Sequence, residues 1–266
     1  MPTLSALYIF PVKSCAPLTP REARVERRGL VDDRRWIVVD AQGTFITARK
    51  HPRMTLVNAV IDRQVLHVTA PGMPPLEVSP DADAGARRDV MIWDSTVSAR
   101  RADRPSGHWI SEYLGQPASF VFMDEFASRP IDPGYATAGD EVSFADGFPL
   151  LLISRSALDD LNARLQSPVP ILRFRPNLVI SGTPAHAEDG WRSIRVGEVR
   201  FDVVKSCVRC VLTTVDPDTG TFDPGGEPLR TLLSYRRTEK GVTFGQNLIP
   251  RGTGTIRVGD EVVIID

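Results

Sequence analysis

The first half of the chain alternates short β-rich runs with turn-forming residues, and this spacing constrains the fold more than any other feature. Several runs end in Gly- or Pro-containing segments such as AQG and PGMPP. A parallel α/β fold places helical segments between its strands, and these runs follow one another too closely for that. The sequence therefore predicts a β-barrel-like or sandwich-like sheet built from LSALYIF, RRWIVVD, FITAR, TLVNAVI and QVLHVTA.

The second half is also mixed, with sheet predominating. Strand patterns are expected at NLVISG, SIRVGEVRFDVV, VRCVLTTVD and TIRVGDEVVIID. Helical patterns along the whole chain are few, and they fall at PSGHWISEYLG, SRSALDDLNARLQ and EPLRTLLSYRR. In the first helix, Ser106 is the expected N-cap and Gly115 the expected stop. The predicted fold class is α+β, mainly β.

A loop rich in proline and glycine, Arg129 to Gly139, separates the two halves. Such composition is typical of a connector between structural units. The segment FADGFPLLLIS then begins a new unit. We expect a β-barrel-like N-terminal domain at 1–125, packed on a second, mixed β-barrel domain at 126–266.

The charge balance argues against nucleic acid as a partner. The 266 residues contain 32 Lys and Arg and 33 Asp and Glu, so the formal net charge is -1 and no global field attracts a polyanion. No apolar stretch has the length of a secretory signal or membrane span. With three cysteines and no signal, a disulfide framework is a poor interpretation. A reduced, cytoplasmic protein without a membrane segment is expected.

The densest chemical signal is the run SCVRCVLTTVDPDTG, in which Cys207 and Cys210 are three residues apart. A zinc site needs a second pair of ligands, and the remaining Cys15 and scattered histidines do not supply one. A thioredoxin-like site needs the first cysteine at a helix N-terminus, whereas β-branched residues follow Cys210. Both cysteines could instead be small buried packing residues, and sequence physics alone leaves that alternative open.

Arg209, between the two cysteines, favours a chemical role for them over a packing role. A guanidinium beside Cys210 can hold its thiolate charged and can also bind a phosphate. Soft thiolate suits a soft, redox-active metal. On a regular strand the side chain of Cys207 would point to the opposite face, so Cys207 and Cys15 are expected to be packing residues.

This run resembles the signature of the MOSC superfamily. The members that the sequence resembles include the mitochondrial amidoxime-reducing component and its bacterial relatives. The resemblance covers nearly the whole chain, because further matches follow in the same order. They are PVKSC, GLVDDRRWIVVD, FITARKHPRM, FADGFPLLLIS, FRPNLVISG, FGQNL and GTIRVGDEV.

The resemblance implies a β-barrel-like N-terminal domain on a MOSC domain, with a molybdenum cofactor between them. In the family the second cysteine of the motif ligates molybdenum, and that position is Cys210 here. The resemblance also implies that the pterin and its phosphate are held by matching positions, some through backbone. These are Lys13, Ser14, Arg34, Gly147, Phe148, Arg175, Asn177, Val208 and Arg209.

The activity that the resemblance implies is the reduction of N-hydroxylated small molecules, namely amidoximes, hydroxylamines and N-oxides. The chain ends at Asp266 without a cysteine set for an iron–sulfur cluster. Electrons are therefore expected from a separate protein, a ferredoxin, cytochrome or flavin reductase. Two alternatives remain open: a sulfur-carrier or cofactor-delivery protein using Cys210, and a non-catalytic domain whose cysteines only pack.

Overall fold

The computed structural model describes residues 1–62, 65–79 and 86–265, and β-strands dominate it. The strands of the first half are β1 (Thr3–Leu7), β2 (Glu22–Glu26), β3 (Gly29–Leu30), β4 (Trp36–Asp40), β5 (Asn58–Asp62), β6 (Val65–Thr69), β7 (Leu76–Val78), β8 (Arg87–Ile92), β9 (Ser95–Arg101) and β10 (Ala118–Phe122). Those of the second half are β11 (Leu150–Ser154), β12 (Leu178–Ser181), β13 (Ser193–Val196), β14 (Val199–Val208), β15 (Arg237–Thr238), β16 (Gly241–Pro250), β17 (Gly254–Arg257) and β18 (Val262–Ile264).

The largest sheet is mixed and nearly closes into a barrel. Its strand order is β1-β12-β11-β16-β14-β13-β18, with β15 paired to β16. β11 and β12 are parallel, whereas the other pairs are antiparallel. A bridge between Thr3 and Glu261 joins the β1 edge to the segment before β18, and the Leu4 amide donates to the Asp260 carbonyl over 2.9 Å. Closure satisfies edge groups that would otherwise be unpaired.

Apolar side chains fill this barrel. Leu4, Ile180, Phe201 and Leu248 come from four different strands, and each is fully buried in one cluster. Because successive side chains of a strand alternate between faces, each strand contributes its inward residues to this core. The N-terminal strand β1 therefore completes a sheet formed mainly by the second half of the chain.

The remaining strands form three smaller sheets. The orders are β4-β10-β9-β8, β17-β2-β3 and β5-β6-β7. Helix α1 (Arg104–Leu114) packs on β10, and its buried Trp109 and Ile110 join a core that includes Trp36 and Phe120. The predicted α+β class with β predominating is confirmed. The division at residue 125 stays a prediction.

The N-cap prediction for α1 was wrong by three residues. Asp103 is the cap, since its carboxylate accepts the Ser106 backbone amide over 2.8 Å. Ser106 is fully buried in the first turn, where its hydroxyl donates back to the Asp103 carbonyl. Gly115 ends the helix with φ 69°, as predicted, because the left-handed C-cap favours glycine.

Two further helices lie at predicted places. Helix α2 (Arg155–Asn162) begins at Ser154, whose hydroxyl accepts the Ala157 amide. Helix α3 (Leu229–Tyr235) begins directly after Pro228. Short 3-10 turns occur at Pro52–Leu56, Ile171–Phe174, Ala187–Gly190 and Val211–Thr214.

Two predicted strands do not form as expected. FITAR makes only isolated bridges, and VRCVLTTVD continues β14 no further than Val208 before turning. In the turn, Thr213 Oγ1 donates to the Cys210 carbonyl over 3.0 Å and Thr214 Oγ1 to the Val211 carbonyl over 2.8 Å. These local hydroxyl bonds compete with strand pairing despite the β-branched composition. Gln64 and Asp266, at the ends of two predicted strands, lie outside the described residues.

No helix within the described ranges combines the length and the apolar character needed to cross a bilayer.

Candidate functional site

All ten residues predicted for the site line one cleft. It encloses about 760 Å³ of non-protein space, including its solvent-open mouth. Loops at the ends of strands supply most of the lining, so residues distant in sequence meet there. The ten are Lys13, Ser14, Arg34, Gly147, Phe148, Arg175, Asn177, Val208, Arg209 and Cys210.

Cys210 lies where β14 has ended, in extended backbone with φ -127°, immediately before the Val211–Thr214 turn. Its thiol is half-buried and accepts a hydrogen bond from Arg49 Nε over 3.3 Å. Cys207 also lines the cleft, so the expectation that it faces away was wrong. The reason is that the chain leaves the strand at Val208, and the alternation of a regular strand no longer applies.

Cys15 is fully buried, as expected of a packing residue. Burial raises the pKa of its thiol to about 12, with the Arg175 charge acting in the opposite direction. The side chain is therefore a neutral apolar group at physiological pH.

The Arg209 guanidinium donates to Cys207 rather than to Cys210, contrary to the interpretation of the motif. Its Nη1 donates to Cys207 Sγ over 2.8 Å and its Nη2 to the Phe174 carbonyl over 2.6 Å. The guanidinium that does contact the Cys210 sulfur belongs to Arg49, which lies 161 positions earlier in the chain. Arg49 thus occupies the position beside the Cys210 sulfur that the motif suggested for Arg209.

Asp146 connects two of the cations in the cleft. Its Oδ1 accepts Lys13 Nζ over 2.5 Å, and its Oδ2 accepts Arg49 Nη2 over 2.7 Å. Lys13 Nζ also donates to the Phe144 carbonyl over 2.8 Å. The side chain of Asp146 is 57% exposed, and this exposure faces the cleft that it lines.

Burial and neighbouring charge set the protonation of this group of side chains. Burial lowers the pKa of Lys13 to about 8, although Asp146 acts to raise it. The pKa of Asp146 is held well below its usual range, because Lys13 and Arg49 outweigh the opposing effect of burial. Burial also acts to lower the pKa of Arg49, but Asp146 and Cys210 raise it overall.

Arg34 is anchored on three sides. Nη1 donates to Asp33 Oδ2 over 2.6 Å and to Asn177 Oδ1 over 2.9 Å, and Nη2 donates to the Arg175 carbonyl over 3.1 Å. Asp33 is fully buried and also accepts the Phe10 amide. Asn177 is itself fixed, because its Nδ2 donates to the Tyr8 carbonyl. This network joins the loop before β4 to the turn before β12.

Arg175 contrasts with Arg34. Its Nη2 is shielded from solvent and has no hydrogen-bond partner among the described residues. Burial lowers the pKa of Arg175 below its ordinary value, the nearby Arg34 charge adds to that effect, and the charges of Asp33 and Asp146 offset it only in part. A guanidinium nevertheless keeps its proton, so Arg175 is a buried cation whose charge is incompletely compensated.

Two other guanidinium groups in the cleft also carry an unpartnered nitrogen. The Nε atoms of Arg173 and Arg209 are buried without an acceptor in the described part of the chain. Arg173 otherwise donates to the Thr214 carbonyl and to Asp216. Unpaired buried donors cost free energy, so the cleft has capacity for an anionic ligand.

Left-handed backbone is concentrated at this cleft. Ser14, Arg34 and Arg175 have φ values of 71°, 50° and 56°, and none is glycine. Such conformations cost free energy and are retained where surrounding structure fixes them, often at functional sites.

Four features of the cleft were not predicted from the sequence. They are the presence of Arg49, Asp146 and Arg173 in its lining and the cleft-facing position of Cys207. Arg49 and Asp146 lie inside the quoted segments FITARKHPRM and FADGFPLLLIS. Because these segments match the family, they were the signal that could have identified Arg49 and Asp146 as site residues.

The comparisons with known proteins cover both halves of the chain. The MOSC N-terminal beta barrel domain matches residues 1–117, and the MOSC domain matches residues 139–263. Mitochondrial amidoxime-reducing component 1 of Mus musculus is 34% identical over 99% of this chain and 82% of its own length. The Homo sapiens protein of the same name is also 34% identical, over 99% and 83%. Mitochondrial amidoxime reducing component 2 of Rattus norvegicus is 36% identical over 98% and 82%.

The two domain matches and the alignments with the relatives together cover nearly the whole chain. They include the segments that line the cleft. The chain belongs to the MOSC family.

Proposed function

We propose that this chain binds a molybdenum cofactor through Cys210 and reduces N-hydroxylated small molecules such as amidoximes, with electrons from a separate protein. The names of the relatives support the activity, since proteins called amidoxime-reducing components align over nearly all of the chain. The observation that carries the proposal is a half-buried thiol in a cleft whose arginines retain unpartnered nitrogens.

The residues present fit such a cofactor. A pterin phosphate and a dithiolene are anionic, and the free donors of Arg173, Arg175 and Arg209 match that charge. Within the described residues no cluster of three or more His, Cys, Asp or Glu side chains could hold a metal. A metal held by Cys210 would therefore take its other ligands from the cofactor, and soft thiolate suits molybdenum.

Each predicted residue would have a distinct part in holding the cofactor. Arg175 and Arg209 would bind the phosphate, while Arg34 and Asn177, which hydrogen-bond to each other, would present a fixed polar edge. Lys13 would add positive charge from the opposite loop. Ser14, Gly147, Phe148 and Val208 would contact the pterin, partly through backbone.

When bound, the molybdenum cofactor supplies the two electrons that, with two protons, convert an N–OH group to N–H and release water. The hydrogen bond from Arg49 Nε to Cys210 Sγ orients the sulfur and places a positive charge beside it. Lys13 Nζ, whose pKa is about 8, holds a proton that it can exchange near neutral pH. Its bond to Asp146 fixes where that proton lies.

The electron donor is proposed to be a ferredoxin, a cytochrome or a flavin reductase. The sequence has three cysteines, one of which is the proposed metal ligand, and an iron–sulfur cluster needs a set of four ligands.

The test is elemental analysis and turnover of protein made in a host with intact molybdenum-cofactor synthesis. About one molybdenum per chain and reduction of benzamidoxime to benzamidine by a chemical reductant are expected. Stoichiometric zinc without molybdenum would contradict the proposal. A loaded protein that transfers its cofactor to an apoenzyme, yet reduces no N-hydroxylated compound, would support the delivery alternative instead.

A further inference from the structure

Trp93 lies beside the cleft in a setting that neither turn chemistry nor core packing explains. It occupies the first position of the two-residue turn between β8 and β9, where Ile92 pairs with Ser95. Its φ is 51°, a conformation for which such turns favour Gly, Asn or Asp. Its side chain is 49% exposed, so burial does not explain the presence of tryptophan either.

The contacts of Trp93 connect it to the proposed metal ligand. The Arg49 guanidinium lies 4.7 Å from the centroid of the Trp93 ring, and the same guanidinium donates to Cys210 Sγ. The edge of Trp93 packs on Phe45, with ring centroids 5.0 Å apart at 60°. Phe45 in turn has Lys13 Nζ 5.9 Å from its centroid. Two aromatic rings therefore flank Arg49, which contacts Cys210, and Lys13, which shares Asp146 with Arg49.

Trp93 retains free apolar surface, since half of its side chain is exposed although Arg49 and Phe45 contact it. A half-exposed indole, held by a second ring and a guanidinium, presents a fixed surface with little rotamer freedom to lose. Aromatic groups stack on such surfaces in offset or edge-to-face geometry.

We infer that Trp93 is a specificity-determining residue that binds the aromatic substituent of the N-hydroxylated substrate, with its N–OH group directed towards Cys210. This inference rests on the proposed function and names the substrate class within it, aryl-substituted compounds. Phe45 supports the indole. Small aliphatic substrates reach the same centre without using this surface.

The experiment compares benzamidoxime with acetamidoxime, using molybdenum-loaded protein and a chemical reductant. Trp93→Ala should raise the KM for benzamidoxime about tenfold, while kcat and both constants for acetamidoxime change by less than about twofold. Trp93→Phe, which keeps an aromatic face, should recover most of the difference. Phe126→Ala is the matched control, because Phe126 is 74% exposed and, unlike Trp93, has no ring contact with a cleft residue in the described part of the chain.

Two results in this comparison would overturn the inference. Equal losses of kcat for both substrates would show that Trp93 only positions Arg49. An equal rise in KM for benzamidoxime and acetamidoxime would show that Trp93 does not select for the aryl group.

A second measurement separates this inference from the proposed function. Benzamidoxime added without reductant should quench tryptophan fluorescence in the wild type, and Trp93→Phe should abolish that quenching, because Trp36 and Trp109 are buried and Trp191 packs against the core of the large sheet. If the wild type reduces neither substrate, the proposed function fails and the titration alone decides whether Trp93 binds the aryl group. Identical quenching in wild type and Trp93→Phe would overturn the inference.

Discussion

The two walls of the cleft neutralise their cations differently. On the N-terminal wall (Lys13, Arg34 and Arg49), every cation forms an ion pair with a carboxylate at 2.5 to 2.7 Å. On the C-terminal wall (Arg173, Arg175 and Arg209), only Arg173 has such a partner within the described ranges. The first wall is organised by the protein itself, whereas the second carries positive charge available to a ligand.

This difference explains why equal charges need not have equal roles. Removal of Arg34 leaves the buried carboxylate of Asp33 without compensation, and the fold loses stability. A cation that lacks a carboxylate costs the free protein little when removed, but its loss weakens the binding of an anion. Loss of Arg34 should therefore mainly lower stability, and loss of Arg175 should mainly lower cofactor affinity.

The largest effect is expected at the sulfur between the walls. Cys210→Ser should abolish reduction and remove most of the molybdenum, because a hydroxyl does not replace the charge and covalency of a thiolate. Cys207→Ser, the matched control in the same cleft, should keep its molybdenum and most of its activity. Elemental analysis and the benzamidoxime reduction rate would measure both. Molybdenum lost from the Cys207 variant and retained in the Cys210 variant would reverse the assignment of the ligand.

The next largest effect separates the walls directly. Arg175→Ala should lower cofactor affinity about tenfold to a hundredfold, since a charge-assisted hydrogen bond contributes roughly 1.5–3 kcal/mol. The apo form should keep its free energy of unfolding within about 1 kcal/mol. Arg175→Lys should restore affinity only in part, because lysine lacks the planar fork. Competition for a limited supply of cofactor and denaturant unfolding of apo protein would measure the two quantities.

Arg34→Ala should mainly lower the stability of the fold, whereas Arg175→Ala should mainly lower cofactor affinity. Sequence analysis treated Arg34 and Arg175 alike, but loss of Arg34 leaves the fully buried Asp33 without its guanidinium. The apo form should lose about 3 kcal/mol of unfolding free energy, as expected when one member of a buried ion pair is removed. Denaturant unfolding beside Arg175→Ala would measure it, and equal stability of the two apo variants would contradict the comparison of the walls.

The walls should also differ in their response to pH, because Lys13 titrates near neutrality and the arginines do not. A bound anion favours protonated Lys13 and raises its pKa above the free value of about 8. Affinity for the cofactor is therefore complete below that value and should fall as pH rises through it. Molybdenum retained after dialysis from pH 7 to pH 9.5 would measure this, and Lys13→Arg should flatten the profile. A wild-type profile as flat as that of the variant would exclude Lys13 from this role.

The sequence predicted which residues line the cleft better than it predicted which of their side chains contact each other. All ten candidate residues line it, because motifs at strand ends converge in a nearly closed sheet. The partner of Cys210 could not be predicted, since no local pattern shows that Arg49 reaches a sulfur 161 positions away. The turn at Cys210 was also missed, because hydroxyl bonds from Thr213 and Thr214 outweigh the strand propensity of the segment.

The smallest effect comes from a change outside both walls, at the cap of α1. Asp103→Ala removes the carboxylate that accepts the Ser106 amide over 2.8 Å, and loss of such a cap costs about 1 kcal/mol. For a chain of this size the melting temperature should fall by about 2–4 °C. Molybdenum content and activity should not change, because Asp103 does not line the cleft. Thermal unfolding and elemental analysis of the same preparation would measure both. If this variant lost cofactor as Arg175→Ala does, occupancy would follow global stability, and the assignment of anion binding to the C-terminal wall would be wrong.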